Sequence, residues 1–322
     1  MTYRTCEDLL RLIENQKKLW QVVLENEISL TGSTEDEVLS HLSDRWEIMT
    51  ASAHRALQNP LPTALHLISG VSAPQYRYAA GGGLCGALVN RVMAYALSCS
   101  ETNAAMGKIC AAPTAGACGI LPAVLLGLSE ELSLTREDLL HGLLTASGIG
   151  AVIMKNATVA GAEGGCQAEC GVAAAMAAAA AVELAGGTPA QSMQAVSLAL
   201  MNCMGLVCDP VAGLVQIPCA QRNASQAVNA LLSADLALGG MRCPIPADEV
   251  IGAMRSVGKA LPVSLRETAR GGLAAAPTAR EIAKGLSDEE NKPGESIRKK
   301  RLGIQIVFRG AFSKNLKRKE KK

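Results

Sequence analysis

At 322 residues the chain is long enough for one large domain with a sizeable core. Half of it is apolar (49%), yet aromatics supply only 2%, so alanine, glycine and the branched aliphatics build that core. The net charge of +2 excludes a nucleic-acid platform in the body, because the basic residues concentrate after Lys284; that end carries about +8 and leaves the body near −6.

Small side chains let helix backbones approach closely. The composition therefore predicts an all-α fold: a single large multi-helix domain of closely packed, Ala/Gly-rich helices with an N-terminal helical cap. In chain order, Leu9, Ile13, Trp20, Leu24 and Ile28 share a helical stripe over residues 5–30, opening at Thr5. Thr34 with Glu37 is a capping box ahead of a stripe from Val38 to Leu57. These two helices are the cap, read as residues 1–75. Pro60, Pro62, Gly70, Pro74 and Gly81-Gly82-Gly83 then mark a loop-rich passage into a helical body over 76–280. Thr135 with Asp138, and Thr188 with Pro189 and Gln191, open further helices. Another follows Pro246, and one after Pro262 closes at Gly271-Gly272. No window of useful length alternates with period two. Residues 281–322 are read as a basic, disordered tail.

The longest apolar run, Val172 to Val182, is bracketed by Glu169 and Glu183 and is too short for a bilayer, which needs ~20 apolar residues. No charged–apolar–small signal opens the chain, and eleven cysteines, an odd number, among apolar neighbours point to a reducing compartment. The expectation is a soluble, cytoplasmic protein with no membrane and no nucleic-acid partner.

Three segments carry candidate chemistry. Gly81-x-Gly83-x-x-Gly86 matches a dinucleotide fingerprint, but Gln75-Tyr76-Arg77-Tyr78 before it is no buried strand, and a flexible joint is the preferred reading. Ala112-Pro113-Thr114-Ala115-Gly116-Ala117-Cys118-Gly119 joins a helix holding Arg91, Tyr95, Glu101 and Asn103 to one starting near Ile120. Such a loop presents backbone N–H groups to an anion, or it is a tight turn where only small residues fit. Cys166, Cys208 and Cys219 lie in short small-residue segments, with Cys170 four positions beyond Cys166 on a shared helix face. Thiolates suit soft metals and iron–sulfur clusters. Their spacing is no Cys-x-x-Cys pattern, and taken alone it is better accounted for by small buried thiols among alanines.

Taken together, Asn103-Ala104-Ala105-Met106-Gly107, Ala112-Pro113-Thr114-Ala115-Gly116, Ser147-Gly148-Ile149-Gly150, Gly161-Ala162-Glu163-Gly164-Gly165-Cys166-Gln167-Ala168-Glu169, Cys208-Asp209-Pro210-Val211 and Pro218-Cys219-Ala220-Gln221-Arg222-Asn223 resemble the iron–sulfur L-serine dehydratases, in particular their alpha subunit. The likeness covers most of residues 35–280. It implies a [4Fe–4S] cluster on Cys166, Cys208 and Cys219, one iron left open as a Lewis acid, no pyridoxal phosphate, and conversion of L-serine to pyruvate and ammonia. Cys170 and Cys203 fall where that family needs no thiol and are read as packing residues. Thr114, Ala115 and Gly116 are the expected holders of the substrate carboxylate, with Asn103 and Arg222 beside the substrate. Arg222 and Asn223 either orient substrate or cluster sulfides or cap the following helix. Lys155 is a candidate base if burial and a nearby metal lower its pKa; an exposed lysine at a helix end is the other reading. The four histidines are read as ordinary. No Gly-Pro-Ser-Ser-Ser-His-Thr segment is present, which implies a separate ACT-containing beta subunit and an oligomeric assembly, with the histidine of that segment a second candidate for the base. The last cysteine is Cys243, so no C-terminal thiol is expected on the open iron. A cysteine-desulfidase-type lyase using the same cluster, and a non-catalytic iron–sulfur sensor subunit, are the alternatives.

Overall fold

The computed structural model describes residues 3–13, 17–290 and 305–306. Local capping chemistry sets where most helices begin. Thr5, Thr34, Thr135 and Thr188 each accept from the N–H three residues on, while the side chain there reaches back, satisfying two orphan donors at once. These boxes open α1 (Cys6–Arg11), α3 (Glu35–Arg55), α7 (Arg136–Asn156) and α10 (Pro189–Asn202), with α2 (Leu19–Thr31), α4 (Ser72–Ala79), α5 (Gly86–Ala104), α6 (Ile120–Leu132), α8 (Gly161–Gly164) and α9 (Val172–Leu184) between them. The chain continues through α11 (Cys219–Leu238), α12 (Ala247–Ala260) and α13 (Pro277–Glu290). The fold is all-α. Among the described residues its sheet is one parallel two-residue pairing, Cys110–Ala111 with Gln305–Ile306.

Two expectations need correcting. The stripe over residues 5–30 is two helices, not one, because α1 ends at Arg11 and α2 starts at Leu19. The helix expected after Pro262 is only a 3₁₀ turn, Val263–Leu265, and the chain then runs on through a left-handed Glu267 and Ala269 to a second 3₁₀ turn at Gly272–Ala275. The helix after Pro246 forms as expected. The basic tail read from residue 281 begins inside α13; apart from Gln305–Ile306, the remainder lies outside the described residues.

Helix α9 is the axis of the molecule. Every residue from Val172 to Val182 is buried, and α6, α7, α10 and α11 surround it. Small residues set the spacing elsewhere. A Cβ on Gly127 of α6 would stand 2.4 Å from Val92 of α5, and one on Gly148 of α7 would stand 2.3 Å from Val23 of α2. The core is continuous: Tyr3, Leu9, Val23, Trp46 and Met49 from the N-terminal helices join the same cluster as Met176, Val196 and Ile251. Ala115–Leu132 and Gln167–Leu184 are long and apolar enough by composition to cross a membrane. In the fold they are interior, with 67% and 89% of their windows buried.

The passage before α5 hangs on Glu101, which is wholly buried. It accepts from the N–H groups of Leu61 (2.7 Å) and Gly70 (2.8 Å) and from the Ser72 hydroxyl (3.0 Å). Glu101→Leu removes the acceptor oxygens and strands the Leu61 and Gly70 N–H groups. It is expected to lower stability by about 1–3 kcal/mol, read from urea unfolding midpoints.

Candidate active site

Three distant segments bring the candidate ligands together. Cys166 follows α8 and enters a π turn, Gln167–Gly171, that leads into α9; such turns occur often at functional sites. Its placement is held by Gln167, fully buried, whose amide donates to the carbonyls of Gly164 (2.9 Å) and Met254 (3.1 Å) and accepts from the Gly205 N–H (2.8 Å). Cys208 lies in an extended bridge beside Arg266: its N–H donates to Leu265 (2.9 Å), and its carbonyl accepts from Glu267 (2.7 Å). Cys219 is the first residue of α11.

Asn223, one turn further along α11, fastens that helix to the small-residue loop. Its amide donates to the carbonyls of Gly116 (2.7 Å) and Cys219 (2.9 Å), and its oxygen accepts from the Gly119 N–H (2.8 Å). Asn103 holds the same loop from α5 through the Ala115 carbonyl (3.2 Å). The loop does join α5 to α6, as its composition suggests. Ala115 and Gly116 begin a 3₁₀ turn, and their N–H groups donate to no protein acceptor among the described residues. The Thr114 hydroxyl is buried without a hydrogen-bond partner.

Arg222 supplies the positive charge. Its guanidinium donates to the Val207 carbonyl (2.7 Å) and the Asp209 carboxylate (2.8 Å) and also faces the Cys166 sulfur. With both terminal nitrogens committed to protein, Arg222 braces Cys166 and the Cys208 segment. Asp209, only 4% exposed, also accepts from the Leu273 N–H at 2.6 Å.

The electrostatics tie these thiols into one pocket. A hydrogen bond with Cys170, whose sulfur is 3.4 Å away, lowers the Cys166 pKa; burial opposes this and Arg222 assists. Burial, then the charges of Glu169 and Cys166, push the Cys208 thiol well up. Cys219 is pushed up to about 12 by burial and by Cys166. Each of the three feels the others' charge or that of Glu169, so a cation placed among them would favour their thiolate forms. Among the described residues no three His, Cys, Asp or Glu side chains converge on a single-ion position. A four-iron cluster asks for a different arrangement, thiols lining a cavity and each meeting its own iron. Glycine brings the backbone close against these groups: a Cβ on Gly161 would come 3.1 Å from the Cys208 sulfur and 2.5 Å from Glu169. The three cysteines fit such a group.

Cys170 and Cys203 sit behind this pocket. Cys170 backs Cys166, and the Cys203 sulfur presses so closely on Gly171 that a Cβ there would meet it at 2.2 Å. Lys155 is exposed in the last turn of α7, so the burial that its role as a base requires is missing. His54 and His66 are bonded to Thr50 and Ser69, and His141 stacks on Trp20 with ring centroids 3.6 Å apart. The glycine fingerprint at 81–86 follows helix α4, not a strand, which removes the dinucleotide reading.

Sequence reasoning missed Glu169 and Asp209 as site residues. Glu169 touches the Cys208 sulfur (3.8 Å), and burial raises its carboxyl, with the Thr114 hydroxyl acting the other way. Both acids stood inside the cysteine motifs, one three residues after Cys166 and one directly after Cys208. That adjacency was the available signal.

Fold and site together describe an all-helical protein with a buried pocket of three thiols, one guanidinium and one carboxyl. Residues 14–274 match the model of the family described as serine dehydratase alpha chain, and the chain belongs to that family. It is 48% identical over 273 residues to the L-serine dehydratase alpha chain of Peptoniphilus asaccharolyticus, covering 84% of this chain and 94% of that one. It is 43% identical over 286 residues to the probable L-serine dehydratase alpha chain of Bacillus subtilis, covering 88% and 95%. With L-serine dehydratase 2 of Escherichia coli it shares 39% over 260 residues, which is 79% of this chain and 57% of that longer protein.

Proposed function

We propose that this chain is the alpha subunit of an L-serine dehydratase, which eliminates water from L-serine to yield pyruvate and ammonia, and that Cys166, Cys208 and Cys219 hold a [4Fe–4S] cluster. The observation that carries this reading is the gathering of three thiols from three separate segments around one site, where Cys166 is favoured as the thiolate and its charge acts on both Cys208 and Cys219. When bound, the cluster supplies Lewis acidity toward the substrate hydroxyl, otherwise a poor leaving group.

The chain's own groups do the rest of the positioning. Arg222, held by Asp209 and the Val207 carbonyl, fixes Cys166 and compensates thiolate charge. Gln167 and Asn223 fix the two segments that carry Cys166 and Cys219. The free N–H groups of Ala115 and Gly116, with the Thr114 hydroxyl, receive the substrate carboxylate, and Asn103 keeps that loop in place. Loss of the Cα proton and of hydroxide leaves an enamine that hydrolyses in water. The proton acceptor is assigned to a separate beta subunit, since Lys155 and His41 are exposed and His54, His66 and His141 are engaged elsewhere.

The test is anaerobic reconstitution with iron and sulfide, with and without a co-expressed beta subunit, followed by pyruvate release from L-serine and from L-cysteine. Release from serine with the partner present, and much less from cysteine, is the expected result. Release from cysteine alone would make the protein a desulfidase, and an iron-loaded protein inert toward both would make it a sensor.

A further inference from the structure

The reading above leaves one group of the pocket without a task. Glu169 is more than half enclosed, its oxygens face the glycine wall at Gly161, and its other neighbours are Gly116, the Cys208 sulfur and Thr114. Among the described residues no lysine, arginine or histidine pairs with it; the nearby charge that acts on it is Glu267, a second acid. Arg222, the cation of the pocket, is committed to Asp209, Val207 and Cys166. An enclosed carboxylate without a cation is costly, and structures keep one where a cation arrives from outside.

An α-amino acid carries its ammonium and its carboxylate on the same carbon, so receptors for the two must be neighbours. Glu169 meets this condition. A Cβ on Gly116, in the loop assigned to the carboxylate, would lie 3.3 Å from Glu169 Oε1. We propose that Glu169, set between this loop and the Cys208 sulfur, receives the substrate's ammonium group and so restricts the site to amino acids. This deepens the serine dehydratase reading and rests on it.

The test uses the anaerobically reconstituted protein with its partner and two ligands that cannot lose water, L-alanine and propionate, which differ only by the ammonium group. Their dissociation constants are measured by calorimetry, beside iron and sulfide content. The parent is expected to prefer L-alanine by about ten- to a hundredfold, the range of a charge-assisted hydrogen bond. In Glu169→Gln that ratio should fall to within about threefold of unity with iron content unchanged. Glu169→Asp, which keeps a carboxylate beside Cys208 but draws it back from the loop, should lower the ratio as well and covers the case in which Glu169→Gln sheds iron. A parent without the preference, or a ratio that survives in the iron-loaded variants, overturns the assignment. Serine turnover by the same parent preparation separates that failure from failure of the dehydratase reading.

Discussion

Cys208→Ala, and separately Cys219→Ala, should leave protein reconstituted with iron and sulfide unable to release pyruvate from L-serine, and should remove most of the thiolate-to-iron absorption. The magnitude follows from rank order. Loss of an outer-shell partner typically costs 10–100-fold in metal affinity, and loss of a ligand must cost more. Neither substitution should unfold the chain, because Cys208 and Cys219 lie at the pocket, away from the α9 axis, and their backbone hydrogen bonds to Leu265 and Asn223 remain. The comparison that gives the result its force is with the two thiols behind. Cys170→Ala removes the neighbour 3.4 Å from Cys166 and should cost no more than that 10–100-fold range. Cys203→Ala, which touches Gly171 and not the pocket, should retain its cluster. If all four variants bind iron alike, the ligand assignment fails.

The contrast among these cysteines shows what the sequence can and cannot reveal. Helix starts were legible because a capping box is complete within four residues, as at Thr34 and Thr188. The stretch after Pro262 was not. Its backbone is used to flank Cys208, through Leu265 and Glu267, and that pairing lies more than fifty residues away in the chain. Local propensity favoured a helix there, and a long-range requirement overrode it. Glu169 illustrates the same limit at the site. A glutamate three residues after a cysteine reads as one more turn of helix. Only the fold sets it against Gly116, Gly161 and the Cys208 sulfur and withholds a cation from it. Lys155 failed in the opposite direction: it stands near the motif in the chain, yet α7 ends with that side chain exposed.

Asp209→Ala is expected to be the most damaging change away from the ligands themselves. The Asp209–Arg222 pair is nearly enclosed, with side-chain exposures of 5% and 16%. The same carboxylate accepts from the Leu273 N–H, and Gly272 beside it sits at φ +59 so tightly that a Cβ would come 2.4 Å from Asp209. Alanine thus strands a guanidinium and a backbone donor together. Breaking one side of a buried pair costs about 3–5 kcal/mol, to be read as a lower urea midpoint at unchanged slope. Arg222 faces Cys166, so loosening it should also weaken cluster retention by about 10–100-fold, measured as iron lost to a chelator. Asp209→Asn preserves the shape and one acceptor and should fall between the parent and alanine in both measurements. Replacing both partners, Asp209→Ala with Arg222→Met, separates the two effects: it removes the stranded charge and should recover part of the stability, while iron retention stays poor because the guanidinium facing Cys166 is gone. Recovery of both would mean that the pair serves the fold alone.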